Sequence, residues 1–314
     1  MRHRGVKPAP LPGAGRGAPF IAISTLLLTL LFKLIARLPL AAVHAVGAAA
    51  GWLAYALSPT YRERLRANLA QAGLDDAATR RAAIAEAGKQ ALESAWVWMR
   101  PPRDLLAKVD TAELERLKAV QVEGRPALFL TPHLGCFEIV AKTYALHADP
   151  RTRALTVLYR VPHKSALRPL MERGRTVPGL TLAPADMRGV RLLMRAMKSG
   201  QAAGILPDQV PSHGEGVWAP FFGRPAYTMT LPARLAVAHS AIVVLVYGER
   251  LPRGRGYRIH LAPLAEALTG DAEHDAAVLN GALERLIRAC PAQYLWGYNR
   301  YKVPAGAPAP AIPA

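Results

Sequence analysis

The stretch Ala127-Leu128-Phe129-Leu130-Thr131-Pro132-His133-Leu134-Gly135-Cys136-Phe137-Glu138 decides how this chain folds. Its first four residues form an apolar run bounded by Gly124 and Pro126, the pattern of a short buried strand. Residues 139–146 are largely apolar and free of Gly and Pro, which predicts a helix. His133 therefore falls where a strand hands over to a helix, at the edge of a sheet from which side chains project. Glu138 follows five positions later and reaches back to His133 if the turn between them is tight. The pair suits base catalysis. An imidazole takes a proton from an attacking hydroxyl. A carboxylate on its other ring nitrogen fixes the tautomer and stabilises the cation that forms. The chain has no Gly-x-Ser-x-Gly elbow, so the nucleophile is expected to be a hydroxyl of the substrate. A motif this short also recurs by chance, and the bland alternative is a strand-end histidine bonded to backbone.

Outward from this motif, strand-like and helix-like runs alternate. Residues 154–159 read as a strand ending at Arg160, and a basic helix continues through Arg175. Residues 180–182 and 203–206 read as further strands, the second leading into Pro207-Asp208-Gln209. Helical patterns cover 190–197, 230–239 and 276–290, and β patterns cover 242–247 and 257–261. Gly214, Gly216 and Gly223 punctuate what reads as a loop carrying Trp218, Phe221 and Phe222. This alternation predicts an α/β fold, a central sheet flanked by helices. His133, Arg160, Asp208 and Gln209 all fall at strand ends, where sites gather in such sheets. Asp208 is equally suited to capping a helix.

Upstream, residues 1–17 read as a disordered basic arm and 18–58 as hydrophobic anchor helices. The main domain is expected over 59–303, and 304–314 form a low-complexity tail. The uncharged run 20–32 is short of the ~20 residues of a full span, and Lys33 and Arg37 interrupt its continuation. Basic clusters flank both ends of the anchor, at Arg2, Arg4, Lys7 and Arg16 and at Arg62, Arg64 and Arg66. That placement favours shallow or tilted insertion from one side over a single crossing. Two buried helices of a soluble core are the alternative. The chain carries 40 Lys and Arg against 22 Asp and Glu, a net charge of +18. Such a balance points to anionic partners: nucleic acid, an acidic membrane face, an acidic protein or a phosphorylated substrate. Two cysteines, Cys136 and Cys290, supply neither a disulfide framework nor metal-ligand spacing.

The His133-Leu-Gly-Cys-Phe-Glu138 block resembles the His-x4-acid motif of the glycerolipid and lipid A acyltransferases. Longer matches narrow the resemblance to the late lipid A acyltransferases, the lauroyl- and myristoyl-transferase group. They are Tyr159-Arg160 with Gly174-Arg175, Gly204-Ile-Leu-Pro-Asp208-Gln209, the run from Gly216 to Pro225 with Thr228 and Thr230, and Pro291-Ala-Gln293-Tyr-Leu-Trp296 with Arg300 and Lys302. The chain departs from the family pattern at Tyr298-Asn299, where His-Arg is expected, and at Ser165, where Asn is common.

The resemblance implies a glycerolipid-acyltransferase-like mixed sheet. It also implies acyl transfer from an acyl carrier protein thioester to a hydroxyl of a lipid A precursor, without cofactor or metal. The site would face the cytoplasm at an anionic bacterial inner membrane. His133 would be the general base and Glu138 its orienting acid. Arg160, Arg175, Asp208, Gln209 and Arg300 are candidate substrate-binding residues. For Arg160 an ion pair with Asp208 is the alternative. Trp218, Phe221 and Phe222 are candidates for an acyl channel or, equally, for the core. A phospholipid or another glycolipid as acceptor remains open. A nucleic-acid-binding protein needs the same charge, but no helix-turn-helix, zinc spacing or aromatic–basic sheet face is present, and the apolar anchor would go unexplained.

Overall fold

The computed structural model describes residues 18–120, 125–147, 154–162 and 167–310. The basic arm expected over 1–17 lies outside them. Among the described residues six helices precede the first strand: α1 (Ala18–Arg37), α2 (Leu40–Leu57), α3 (Pro59–Gln71), α4 (Ala77–Met99), α5 (Pro102–Leu106) and α6 (Thr111–Ala119). The chain then alternates through β1 (Ala127–Leu130), α7 (Phe137–His147), β2 (Leu155–Tyr159), α8 (Arg168–Arg175), β3 (Leu180–Pro184), α9 (Met187–Lys198) and β4 (Ala202–Ile205). A hairpin of β5 (Gly216–Phe221) and β6 (Arg224–Met229) follows. After it come α10 (Leu231–Ala238), β7 (Ile242–Arg250), β8 (Tyr257–Pro263) and α11 (Ala272–Ala289).

Six strands form one sheet in the order β3-β2-β4-β1-β7-β8, parallel except for the antiparallel edge strand β8. The apolar run at 127–130 is its central strand, paired with β4 on one side and β7 on the other. Both of its faces are buried, as a strand covered by helices on each side requires. Leu128 and Leu130 join the core beneath α9, α10 and α11, while Ala127 and Phe129 join the core beneath α4 and α7. The strand's period of two thus serves two hydrophobic cores.

The Gly214–Gly223 region is a β-hairpin rather than the loop predicted. Phe222 and Gly223, at φ 47° and 74°, form the two-residue turn between paired Phe221 and Arg224. Two positive φ values match the twist of a tight hairpin. Pro220 and Pro225, which argue against strand in sequence, face each other across the pair.

α2 crosses α4 at close range through glycines. A Cβ on Gly51 would sit 2.2 Å from the Ile84 carbonyl oxygen, and one on Gly88 would sit 2.0 Å from that of Gly47. A buried polar network fastens the same contact to the sheet. His44 of α2 meets Glu93 of α4, and Arg250 of β7 reaches both Glu93 and Glu86. Leu40–Leu57 is, among the described residues, the helix long and apolar enough to cross a membrane by length and composition. One side of it is nonetheless committed to α4. On α1, Leu26, Leu27, Leu30, Leu31 and Leu34 are exposed along one face.

The turn from β1 into α7 depends on Gly135. Its φ is +59°, and a Cβ there would lie 2.1 Å from the Gly248 carbonyl oxygen of β7. Gly135→Ala is expected to cost ~1–3 kcal/mol from the backbone conformation alone, with steric displacement added. Thermal unfolding should show a Tm lowered by several degrees, and transfer should fall with it. An unchanged melt would contradict this geometry.

Candidate active site

The parallel register of β1 and β4 builds the centre. Leu130 pairs with Ile205. His133 and Asp208 lie three residues beyond these partners, so two neighbouring strands deliver them side by side. His133 Nδ1 lies 2.8 Å from Asp208 Oδ1, and the His133 backbone N–H donates to Oδ2 at 2.9 Å. Asp208 is buried. Burial alone would raise its pKa, but the charge and hydrogen bonds of His133, together with Arg300, hold it below the usual carboxylate range. Burial and the charge of Asp208 push the Tyr294 phenol well above its ordinary range. An ionised Asp208 accepts from Nδ1–H and leaves Nε2 as the unprotonated face of the ring. Gln209 Nε2 lies 3.2 Å from that nitrogen and donates to it.

The loop carrying His133 is held from three directions. Gln90 of α4 donates to the His133 and Gly135 carbonyls, at 3.4 and 3.2 Å. Leu295 N–H donates to the His133 carbonyl, and Gly135 N–H donates to that of Gln293. Cys136 N–H bonds the Gly248 carbonyl at 2.7 Å. The imidazole also packs edge-on against Phe137, 5.2 Å between centroids. Such support fixes the position of the His133 side chain.

Glu138 does not contact His133, contrary to the sequence expectation. It opens α7 and faces α8, where Arg175 Nε lies 3.0 Å from both of its oxygens and Arg175 Nη2 completes a two-pronged ion pair. The chain leaves the turn at Gly135 in the left-handed conformation, so Glu138 points along a different wall from the imidazole. Arg175 is therefore engaged with Glu138 and stacks over the Trp98 ring, 5.4 Å from its centroid.

A cavity of ≈ 320 Å³ opens beside His133. Its polar end holds His133, Gln209, Arg160, Glu138 and Arg175. Its body is apolar, lined by Phe129 of β1, Leu155 and Val157 of β2, Tyr144 of α7, Leu180 of β3 and Val246 of β7. Lys142 of α7 also lines it. Its ammonium donates to the Val97 and Gly174 carbonyls, and burial pulls its pKa down to about 8 against the opposing pull of Glu138. Arg160 is exposed at the rim. It makes no ion pair with Asp208, nor with any other described residue. Burial pushes the Cys136 thiol well above its ordinary range, which leaves it a packing residue. Among the described residues no cluster of His, Cys, Asp or Glu is arranged to hold a metal ion.

The model of the bacterial lipid A biosynthesis acyltransferase family matches residues 18–303. This chain belongs to that family. It is an acyltransferase of lipid A biosynthesis. Over 224 residues it is 27% identical to a lipid A biosynthesis lauroyltransferase of Escherichia coli (strain K12), covering 70% of this chain and 71% of that one. It is 26% identical over 220 residues to a lipid A biosynthesis palmitoleoyltransferase of the same organism, covering 68% of each.

Other residues singled out in the sequence of this lipid A acyltransferase lie elsewhere. Arg300 is buried and spends its guanidinium on the Tyr227 carbonyl, Thr228 Oγ1 and Asn280 Oδ1. It is absent from the cavity wall, and its positive charge acts on Asp208 from behind. Phe221 and Phe222 are core residues, packed edge-on against each other and tilted against Tyr301 and Trp296 respectively. Trp218 packs against Tyr227, and its indole N–H donates to the Pro308 carbonyl. Trp218, Phe221 and Phe222 thus lie off the cavity wall, which the hairpin meets through Met229 at the end of β6. Gln90 carries no motif that marks it in sequence, and Tyr294 lies in the Pro291–Trp296 block without being singled out there as a site residue. Tyr298, a departure from the family pattern, accepts the Val210 N–H at its hydroxyl and so braces the segment after Asp208.

Proposed function

We propose that this enzyme moves an acyl group from an acyl carrier protein thioester to a hydroxyl of a lipid A precursor, with His133 as general base and Asp208 as its orienting acid. The observation that carries the reading is one ring with two faces. Nδ1 is bound to a buried carboxylate, and Nε2 opens on an apolar cavity of acyl-chain character. The acceptor hydroxyl displaces Gln209 from Nε2 and gives up its proton there as its oxygen attacks the thioester carbonyl. A carbon–oxygen bond forms and the carbonyl oxygen becomes an oxyanion. Gln209 and the rim cation Arg160 are the donors placed to meet that charge. The carbon–sulfur bond then breaks, and the imidazolium returns its proton to the departing thiolate. Glu138 neutralises Arg175 and so keeps a dry, shaped wall beside the reacting atoms.

The test is product analysis. Purified full-length enzyme in detergent is given acyl carrier protein thioesters with a lipid A precursor, a phospholipid or another glycolipid, and products are weighed by mass spectrometry. Acylated lipid A precursor is the expected product. Acylation of a phospholipid instead would replace the acceptor, and no transfer to any hydroxyl would remove the reading.

The same reading places the enzyme on the cytoplasmic face of the inner membrane. Exposed leucines of α1 and Val46, Trp52, Leu53 and Leu57 of α2 supply an apolar surface for lipid. Changing Leu27, Leu30, Leu31 and Leu34 together to Ser should shift the protein from the membrane pellet to the soluble fraction. An unchanged distribution would remove α1 from membrane attachment.

Docking of an acidic carrier protein calls for unengaged cations near the cavity. Of the arginines after β2, Arg168 is paired with Glu172, Arg175 with Glu138 and Arg188 with Asp186. Arg191 and Arg195 are exposed on α9 and form no ion pair with another described residue. α9 begins just after Ala185, which lines the cavity. Arg191→Glu with Arg195→Glu should raise the donor KM and flatten its salt dependence, because the Debye length falls from ~10 Å at 0.1 M to ~3 Å at 1 M salt. Turnover at saturating donor should change little. A donor KM indifferent to both salt and charge reversal would remove carrier docking on α9.

A further inference from the structure

Gly204 is a glycine that the backbone does not require. The chain makes no left-handed turn there, unlike the one at Gly135. Nor does another backbone press on it, whereas a Cβ on Gly51, Gly88, Gly189 or Gly248 would lie within 3.0 Å of main-chain atoms. A Cβ on Gly204 would meet only side chains: Val157 Cγ1 at 3.0 Å and Leu155 Cδ1 at 3.7 Å. Both of these residues line the cavity, as does Gly204 itself. In the sheet, Gly204 pairs with Phe129 of β1 on one side and Val157 of β2 on the other. It is thus a gap in the cavity floor between two bulky neighbours. Glycine weakens the interior of a strand, and a common reason for its presence is the close approach of a ligand.

We propose that Gly204 sets the length of acyl chain the enzyme accepts, by leaving a trough across which the chain passes from His133 toward Leu155 and Leu180. This rests on the reading of the cavity as the acyl pocket. The strands place the trough at the chain's midpoint. β4 ends one residue after Gly204, close to His133, whereas Leu155 opens β2 at the opposite edge of the sheet. The five residues of β2 span roughly 13 Å at ~3.3 Å per residue, and Leu155, Val157 and Tyr159 all line the cavity along that length. A side chain at position 204 would therefore leave room for the carbonyl end of a chain and close the deeper part. The lipid class implied is a saturated chain that lies extended over the sheet.

The test compares wild type, Gly204→Ala, Gly204→Val and the volume-compensating pair Gly204→Ala with Val157→Ala. Each is full length and in detergent, assayed with decanoyl, dodecanoyl, tetradecanoyl and hexadecanoyl carrier thioesters. A parallel arm measures displacement of a fluorescent fatty acid by the corresponding free acids, which reports the pocket without requiring transfer. One methylene of mismatch in an apolar pocket is worth about 10- to 200-fold, so the preference for the longer over the shorter chains should fall at least ~10-fold in Gly204→Val. Gly204→Ala should fall part of the way, and the compensating pair should return toward wild type. The compensating pair and Gly204→Ala answer the question if the valine variant fails to fold. A chain-length profile unchanged in both arms overturns the proposal, as does a wild-type cavity that binds no fatty acid. If wild type binds fatty acids but transfers no acyl group, the transfer reading fails by itself, and the displacement arm still decides the role of Gly204.

Discussion

His133→Ala lowers acyl transfer by ~10²–10⁴-fold, the usual cost of losing a general base, while the protein remains folded. The ring is partly open to the cavity and its removal leaves the sheet untouched, but the buried Asp208 loses its partner. An orphaned buried acceptor costs ~1–3 kcal/mol, and more when charged, so a lowered Tm accompanies the loss. His133→Asn separates the two effects, since its amide offers Asp208 a donor and no base. Single-turnover transfer measured by mass spectrometry, beside thermal melts, checks both variants. Transfer near the wild-type rate in folded His133→Asn protein would end the assignment of His133 as base.

Asp208→Asn is expected to cost as much as the loss of the base itself, ~10²–10⁴-fold. The position of one proton decides the loss. An amide oxygen at residue 208 still accepts the His133 backbone N–H, which turns the amide nitrogen toward Nδ1. That nitrogen donates, so Nδ1 must accept and the ring proton moves to Nε2, the face that has to take the substrate's proton. The variant also changes acid stability. The Asp208 pKa is depressed in the folded state, so its contribution is present above the unfolded carboxylate value of ~3.9 and is lost as pH falls through the folded value. Wild type should lose part of its advantage over Asp208→Asn on that acid limb. Glu138→Gln behaves differently. It strands the Arg175 charge beside the cavity, and removing one partner of a buried ion pair costs ~3–5 kcal/mol. Much of the activity should return when Arg175→Met is added, because Glu138 acts through Arg175. Rescue of that kind is not expected for Asp208→Asn.

These contrasts show what the sequence made legible. The apolar run at 127–130 announced the central strand, and the alternation after it announced a sheet flanked by helices. The β pattern at 257–261 announced β8 but not its antiparallel direction, and the hairpin reads as a loop in sequence. Pro220 and Pro225 disguised its two strands. Within the site, nearness in sequence misled. Glu138 stands five residues from His133 yet faces α8, while Asp208, seventy-five residues away, holds the ring. The offset of three from a paired Leu130 and Ile205 explains why, but register between distant strands is not written in either strand alone. The aromatics Trp218, Phe221 and Phe222 looked like channel residues because large rings serve channels and cores alike. The cavity is lined instead by residues of the sheet, Phe129, Leu155, Val157 and Gly204 among them.

The most direct test is the tautomer of His133, read from long-range ¹H–¹⁵N correlations of ¹⁵N-histidine-labelled enzyme in detergent, assigned with His133→Asn. With the ring held neutral, the account predicts the proton on Nδ1 in wild type, retained in Glu138→Gln and transferred to Nε2 in Asp208→Asn. A wild-type proton on Nε2, or a tautomer that responds to Glu138→Gln and ignores Asp208→Asn, would contradict it.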